Sequence, residues 1–284
     1  MKHILIRLLG HKATILHLYP NAADRWAWLK SKIPRNNKAY TLVDVGCGAG
    51  EFTIGAALRG YRSLGLSWDE GNTAVANELA GVLNAEVEFE ITDIRCLDQR
   101  EDLREAFDVV ACLELVEHIL DDRKLIIDIA SMLKPGGYLY LTTPYLRFNE
   151  IKGRGNAEEM GPWPTVETGP HVRRGYTKAM LQELCDAAGL ILEHQSFCTG
   201  FVSQKLTHLQ LFLERYFGRY HRLVWYAILP LHSLMILDRF VTDWFKYPYY
   251  TICVEVYKPR FSETSSLKPV DGTSNFSNDE SGVE

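Results

Sequence analysis

Two groups of residues have types and spacings that can do chemistry. In "VDVGCGAGEF" (43–52), Gly46, Gly48 and Gly50 follow a β-branched run. Glycines between a strand and a helix let a ligand approach backbone that a side chain would cover. They also permit a tight turn with no ligand at all. A dinucleotide fingerprint requires a further glycine at position 51, where Glu51 stands, so the nicotinamide reading fails there. Further along, "CLELVEHIL" supplies Glu114, Glu117 and His118, and "GPHVRRGYT" supplies His171. Carboxylates and imidazoles gathered at one cleft can take and return protons near neutral pH.

Both groups must be held by regular elements, and the pattern around them alternates strand with helix. "YTLVDVG", "RSLGLS", "AEVEFEIT", "FDVVACL" and "YLYLTTP" read as strands. Between them, "EFTIGAALRG", "DEGNTAVANELAGVL" and "DDRKLIIDIASMLKPGG" read as helices, the last with Lys134 in its final turn and Pro-Gly-Gly as a stop. Such alternation predicts a Rossmann-like α/β fold, a mostly parallel sheet with helices on both faces. Ligands of such sheets bind beyond the carboxyl ends of the strands, where both groups of residues fall. Residues 1–38 read as a helical lead-in and 39–260 as the main domain. Within it, 145–176 is a Gly- and Pro-rich, lid-like loop. Then follow a helix ("TKAMLQELCDAAGL"), a strand ("LILEHQSFC"), an aromatic helical insertion over 199–248, and a last strand, "YTICVEVYKP". The Ser-, Asn- and acid-rich stretch 261–284 reads as disordered.

Composition narrows the partners. A hydrophobic share of 46% suits a globular core, and a net charge of -5 argues against a nucleic acid partner. Six scattered cysteines without a CxxC pair read as reduced thiols in a cytoplasmic protein. Arg7, His11 and Lys12 interrupt the first apolar stretch, which argues against a signal peptide.

The sequence resembles the class I S-adenosylmethionine-dependent methyltransferases along most of residues 40–198. That family's acid-x-Gly-x-Gly-x-Gly motif matches Asp44 to Gly50, and its strand-three acid and aliphatic match Asp93-Ile94. Its fourth-strand segment, helix-end turn and fifth strand match "FDVVACLELVEHI", "LKPGG" and "YLYLTTP". The resemblance implies a seven-stranded sheet with the last strand antiparallel, and S-adenosylmethionine as cofactor. It also implies backbone from Gly46 through Cys47 to Gly48 against the methionine part, with Asp44 reaching its ammonium. Asp93 would accept from the adenine amino group beside Ile94, Trp68 would cover the ring, and Cys112 and Leu113 would line the methionine side. Where the family carries an acid for the ribose hydroxyls, this chain has Ser67, which can bond one hydroxyl without a bidentate grip. Asn72 is a candidate for a supporting amide.

The E-x-x-E-H spacing is similar to that of quinone-biosynthesis O-methyltransferases and small-RNA 2'-O-methyltransferases. In some of those the carboxylates and histidine hold a divalent cation; similar segments also occur in relatives that use none. His118 is accordingly a base or acceptor-positioning group with Glu117 beside it, or a cation ligand, and His171 a second base or a further ligand. The expected activity is methyl transfer to a small-molecule or lipid-like acceptor, at oxygen. A sugar of a glycan or glycolipid, and a non-catalytic cofactor-binding module, are the alternatives. Helices of the 199–248 insertion, with Arg215, Arg219 and Arg222 among aromatics, are expected to bury an apolar face. They would do so against the domain, in a homodimer, or by peripheral membrane contact.

Overall fold

The computed structural model describes residues 6–7, 9–16, 19–35, 39–148, 167, 171–218 and 228–260. Most of the lid-like stretch, Arg219, Arg222 and the tail from 261 lie outside the described residues. Strands β1 (Thr41–Val45), β2 (Arg62–Ser67), β3 (Val87–Ile91), β4 (Phe107–Leu113), β5 (Leu133–Pro144), β6 (Ile191–Cys198) and β7 (Thr251–Tyr257) form one sheet in the order β3-β2-β1-β4-β5-β7-β6. Neighbours are parallel except β7, which runs antiparallel to both β5 and β6. The expected α/β fold is therefore the observed one, including the reversed last strand.

The central strands carry apolar residues on both sides, as two covered faces demand. Val43, Val45, Val110 and Cys112 point to one face, into a core shared with Ile126 and Ile129 of α5 (Asp122–Met132). Leu42, Val109 and Ala111 point to the other, against Trp26 and Leu29 of α2 (Pro20–Lys32). The lead-in therefore contributes to the core: α1 (His11–Leu16) packs on α2 and on α3 (Glu51–Ala57). Helices α4 (Glu70–Leu83) and α6 (Lys178–Ala187) complete the layers.

One boundary differs from the sequence reading. Helix α5 stops at Met132, and Leu133 and Lys134 already belong to β5. Pro135 disfavours helical backbone at the residue before it, which pushes Lys134 into extended conformation. Its ammonium then meets Asp108 on the neighbouring strand at 2.8 Å.

Between β6 and β7 a helical cap replaces a short hairpin. It comprises α7 (Phe201–Phe217), a 3-10 segment (Leu229–Leu237) and α8 (Asp238–Trp244). Of the expected settings for an apolar face, the domain itself takes little of it, because these helices turn mostly polar side chains inward. Helix α7 buries Ser203, Gln204, Thr207 and Gln210 with Leu206, and α8 buries Asp238 and Thr242. The reason lies in specific hydrogen bonds. Asp238 accepts from the backbone N–H of Gly200 (2.9 Å), Val202 (2.6 Å) and Ser203 (3.3 Å), so it caps α7 from another helix. Thr242 Oγ1 accepts from Phe201 N–H at 2.7 Å. Removing these acceptors at once leaves buried donors unpaired, which costs about 1–3 kcal/mol. Asp238→Ala should lower the melting temperature accordingly, whereas Asp243→Ala, on the exposed side, should change it far less.

Candidate functional site

The glycine turn follows β1 and opens α3. Gly46, Gly48 and Gly50 all have positive φ (80°, 54° and 78°), which side chains adopt only with strain. Their surroundings differ. A Cβ on Gly46 would lie 2.9 Å from Leu115 Cδ1, and one on Gly50 would lie 2.6–2.7 Å from Phe89 and Ala76. A Cβ on Gly48 meets no protein atom within 4 Å. Gly46 and Gly50 therefore serve packing, while Gly48 presents bare backbone to whatever approaches from outside. Beneath the turn, Asp44 is buried and accepts from Thr53 Oγ1 at 2.7 Å. Burial pushes its carboxyl up to about 6, with Glu51 adding to the rise.

A cavity of about 450 Å³ opens beside this turn, lined among others by Trp68, Asp93, Ile94, Leu115, His118 and Glu167. Trp68 is exposed at its mouth. Asp93 accepts from Arg95 through backbone N–H and guanidinium, which holds its carboxyl down at about 2. It thus caps the short helix from Ile94 while keeping its place in the cavity wall. Ser67 ends β2, with its Oγ accepting from Asp69 N–H, and Asp69 in turn caps α4 through Asn72 N–H. Cys112 is fully buried in the core, so its backbone alone can face the site, and Leu113 is half-buried beside it. Burial raises the Cys47 and Cys112 thiols well above their ordinary range.

Past β4, a single 3-10 turn (Val116–His118) gathers the protonatable groups. Glu117 is 0% exposed. Its Oε2 accepts from Thr143 Oγ1 at 3.0 Å, and its Oε1 has no hydrogen-bond partner among the described residues. That Oε1 lies 4.0 Å from His118 Nε2. His171 packs edge-on against His118, with ring centroids 4.5 Å apart. Donor atoms of Glu117, His118 and His171 all lie within 4.8 Å of one another. Burial, then the nearby Glu114, raises the proton affinity of Glu117, while burial and His118 lower that of His171.

His171 reaches this place because its segment is bound to the turn. Val172 N–H donates to Glu117 O, Tyr176 Oη donates to Asp122 (2.7 Å) and Val116 O, and Arg173 bonds Asp122 and the carbonyls of Ile119 and Leu120. Glu114, although it shares the E-x-x-E-H spacing, does not join. Its left-handed backbone (φ 53°) turns the carboxylate to Thr142 Oγ1 (3.1 Å) and to Arg25 (3.7 Å). Sequence reasoning also missed Leu115, Arg25 and Glu167. Glu167 accepts from Leu120 N–H at 2.5 Å and from Arg95 at 3.2 Å, closing one side of the cavity. Leu115 lay inside a motif already singled out, but nothing local marks Arg25 or Glu167.

This fold and turn define the class. The profile of the methyltransferase-domain family matches residues 12–195, more than half of the chain, and the chain belongs to that family of S-adenosylmethionine-dependent methyltransferases. Among curated relatives it is similar to a ubiquinone biosynthesis O-methyltransferase of Marinobacter nauticus, with 38% identity over 101 residues. That match covers 36% of this chain and 42% of the relative, and the chain spans less than half the length of the curated relatives it matches. Among solved structures, phosphoethanolamine N-methyltransferase 2 of Haemonchus contortus aligns with TM-score 0.56 at 15% identity, covering 83% of this chain and 52% of that one. Geranyl diphosphate C-methyltransferase of Streptomyces coelicolor A3(2) aligns with TM-score 0.54 at 16% identity, covering 82% and 75%. These two likenesses concern the fold, and their names differ in the atom methylated. No helix among the described residues is long and apolar enough to cross a membrane.

Proposed function

We propose that the protein methylates a hydroxyl on a small, apolar-tailed acceptor. The observation that carries this reading is His118, partly exposed at the cavity wall, with the buried Glu117 carboxyl behind it. A hydroxyl gains nucleophilicity by losing a proton, whereas a neutral amine attacks with a free lone pair, so a base at the wall suits oxygen. The similarity to ubiquinone biosynthesis O-methyltransferases supports the same choice. Support for an apolar tail comes from a cleft of about 450 Å³ at the same end of the strands, beside β5 and β6, lined by Tyr145, Phe197, Tyr247 and Tyr249 among others.

When bound, S-adenosylmethionine supplies a methyl group already activated on a sulfonium. The residues present fit it. The backbone from Gly46 through Cys47 to Gly48, bare at Gly48, takes the methionine part, with Asp44 as counter-charge to the ammonium. Trp68 and Ile94 enclose the adenine, Asp93 accepts from its amino group, Ser67 bonds one ribose hydroxyl, and backbone at Cys112 and Leu113 closes the methionine side. The chain's own work is to align the acceptor oxygen and receive its proton at His118 Nε2. Glu117 then faces the imidazolium so formed, and His171 fixes the ring's orientation.

A second reading has one specific observation in its favour, the unpartnered Oε1 of Glu117 within a carboxylate and two-imidazole set. Such donors suit a divalent first-row cation. Glu117, His118 and His171 would hold it, and it would polarise the acceptor hydroxyl. Excess chelator then abolishes turnover and Mn²⁺ restores it; turnover unchanged in chelator leaves the proton-acceptor reading.

The test of the function is labelled S-adenosylmethionine offered with a short-prenyl catechol, phosphoethanolamine and a glycolipid in parallel. Label in a methyl ether of the catechol is the expected result. Label on nitrogen overturns the oxygen assignment, label on the glycolipid selects the sugar alternative, and binding without transfer to any acceptor selects the non-catalytic one.

Asp44 gives the binding step a pH dependence. Its carboxyl is protonated below about 6 and charged above, and the charged form is the one that binds an ammonium. Affinity for S-adenosylmethionine should therefore fall as pH drops through 6, by about tenfold for each unit below it. Calorimetry at pH 7 and pH 5 measures this. Asp44→Asn should bind weakly and equally at both, and a wild type with pH-independent affinity contradicts the assignment.

A further inference from the structure

The helical cap is inside out. Its polar side chains hold it to the domain, and its apolar side chains face solvent. On α7, Lys205, Leu209, Phe212 and Tyr216 follow one another at i, i+4, i+7 and i+11, which places them on a single face, and Phe212 is 64% exposed and Tyr216 75%. On the 3-10 segment Ile236 is 86% exposed, and on α8 Phe240 and Trp244 are 66% and 73% exposed. These elements pack on one another, so the apolar side chains belong to one cap. Soluble proteins rarely leave so many large apolar groups in one region without a partner for them.

Charge identifies the partner. Residues 199–248 hold six Lys and Arg against three Asp and Glu, in a chain whose net charge is -5. The three acids are engaged internally. Asp238 caps α7, Glu214 accepts from Tyr19 Oη, and Asp243 accepts from Tyr249 Oη. Lys205, Arg215, Arg239 and Lys246 are exposed. Large aromatics set among outward cations on short helices, none of the described ones able to span a bilayer, match a surface that lies in a headgroup layer. A second copy of the same cap would instead bring like charges together.

We infer that the cap docks the protein onto an anionic lipid surface, with Phe212, Tyr216, Phe240 and Trp244 entering the headgroup layer and the exposed cations meeting lipid phosphates. This stands on the cap alone and does not depend on the acceptor assigned above.

The full chain is tested by sedimentation with vesicles of phosphatidylcholine, with and without one quarter phosphatidylglycerol. The expected result is binding to the anionic vesicles at least tenfold tighter than to the neutral ones, weakened by salt. Each basic residue near such a surface contributes about fivefold. Lys205→Glu, Arg215→Glu, Arg239→Glu and Lys246→Glu together should abolish the difference between the two vesicles. Phe212→Ser, Tyr216→Ser, Phe240→Ser and Trp244→Ser together should lose binding to both, while retained S-adenosylmethionine affinity shows that the domain is folded. If a substituted set does not fold, anionic quenchers in the bilayer acting on wild-type tryptophan fluorescence give the same answer. No binding at low salt, equal binding to both vesicles, or a stable dimer broken by the aromatic set and indifferent to lipid would each overturn the proposal.

Discussion

His118→Ala should lower the turnover number by roughly two to four orders of magnitude, the range that a positioned acid or base contributes. Affinity for S-adenosylmethionine should change far less, because the residues proposed to hold it, Gly46–Gly48, Trp68 and Ile94, remain. Glu117→Gln keeps the volume and the Thr143 contact but replaces one carboxyl oxygen by an amide, so turnover should fall with little change in cofactor affinity. His171→Ala should cost less if His171 only orients the neighbouring ring, and as much as His118→Ala if it is a ligand. Groups that act as a unit are non-additive, so the double variant His118→Ala/Glu117→Gln should be little worse than the weaker single. Added imidazole restoring part of the His118→Ala turnover would mark proton transfer as the lost step. A His118→Ala protein with wild-type turnover would end both readings of this cluster.

What the sequence made legible follows from how local each signal is. β2 and β4 run over the same residues in the fold as in the reading, because strand length and flanking turns are fixed by their own side chains. The three glycines were legible as a turn, but not as two different jobs, since those depend on Leu115, Phe89 and Ala76 arriving from other elements. The spacing E-x-x-E-H was legible too, yet it equated Glu114 with Glu117. The left-handed backbone at Glu114 separates them, and that carboxylate finds its partners in Thr142 on the neighbouring strand and in Arg25, from a helix placed by packing across the sheet. Glu167 was invisible for a similar reason, since its contacts are to Leu120 and Arg95, far away in sequence.

The cap was legible as an aromatic helical insertion, but not in which of its expected settings the apolar side lies. An aromatic helix is normally read as burying its aromatic side, because burial of apolar area is the commonest source of helix stability. Here the interior is polar, and Asp238, Thr242 and Gln204 supply geometry that a periodicity argument does not weigh.

Gly48→Val and Gly50→Val should fail in opposite ways, and the contrast tests the cofactor site more sharply than either alone. Both sites have positive φ, so each variant loses about 1–2 kcal/mol to backbone strain. At Gly50 the new side chain also meets Phe89 and Ala76 at under 3 Å, inside packed core, so a further loss of about 1–3 kcal/mol is expected. At Gly48 the side chain meets no protein atom, so no further loss of stability arises. The melting temperature without ligand should therefore fall modestly for Gly48→Val and steeply for Gly50→Val. With S-adenosylmethionine present the order reverses. A ligand that binds the folded state raises the melting temperature in proportion to the logarithm of its excess over Kd. Folded Gly50→Val should keep a good part of that rise, because its defect lies beneath the turn. Gly48→Val should lose it altogether, because two methyl groups occupy the side from which the methionine part is proposed to approach. A normal ligand-induced rise in Gly48→Val would mean that this turn, despite its family, does not carry the cofactor.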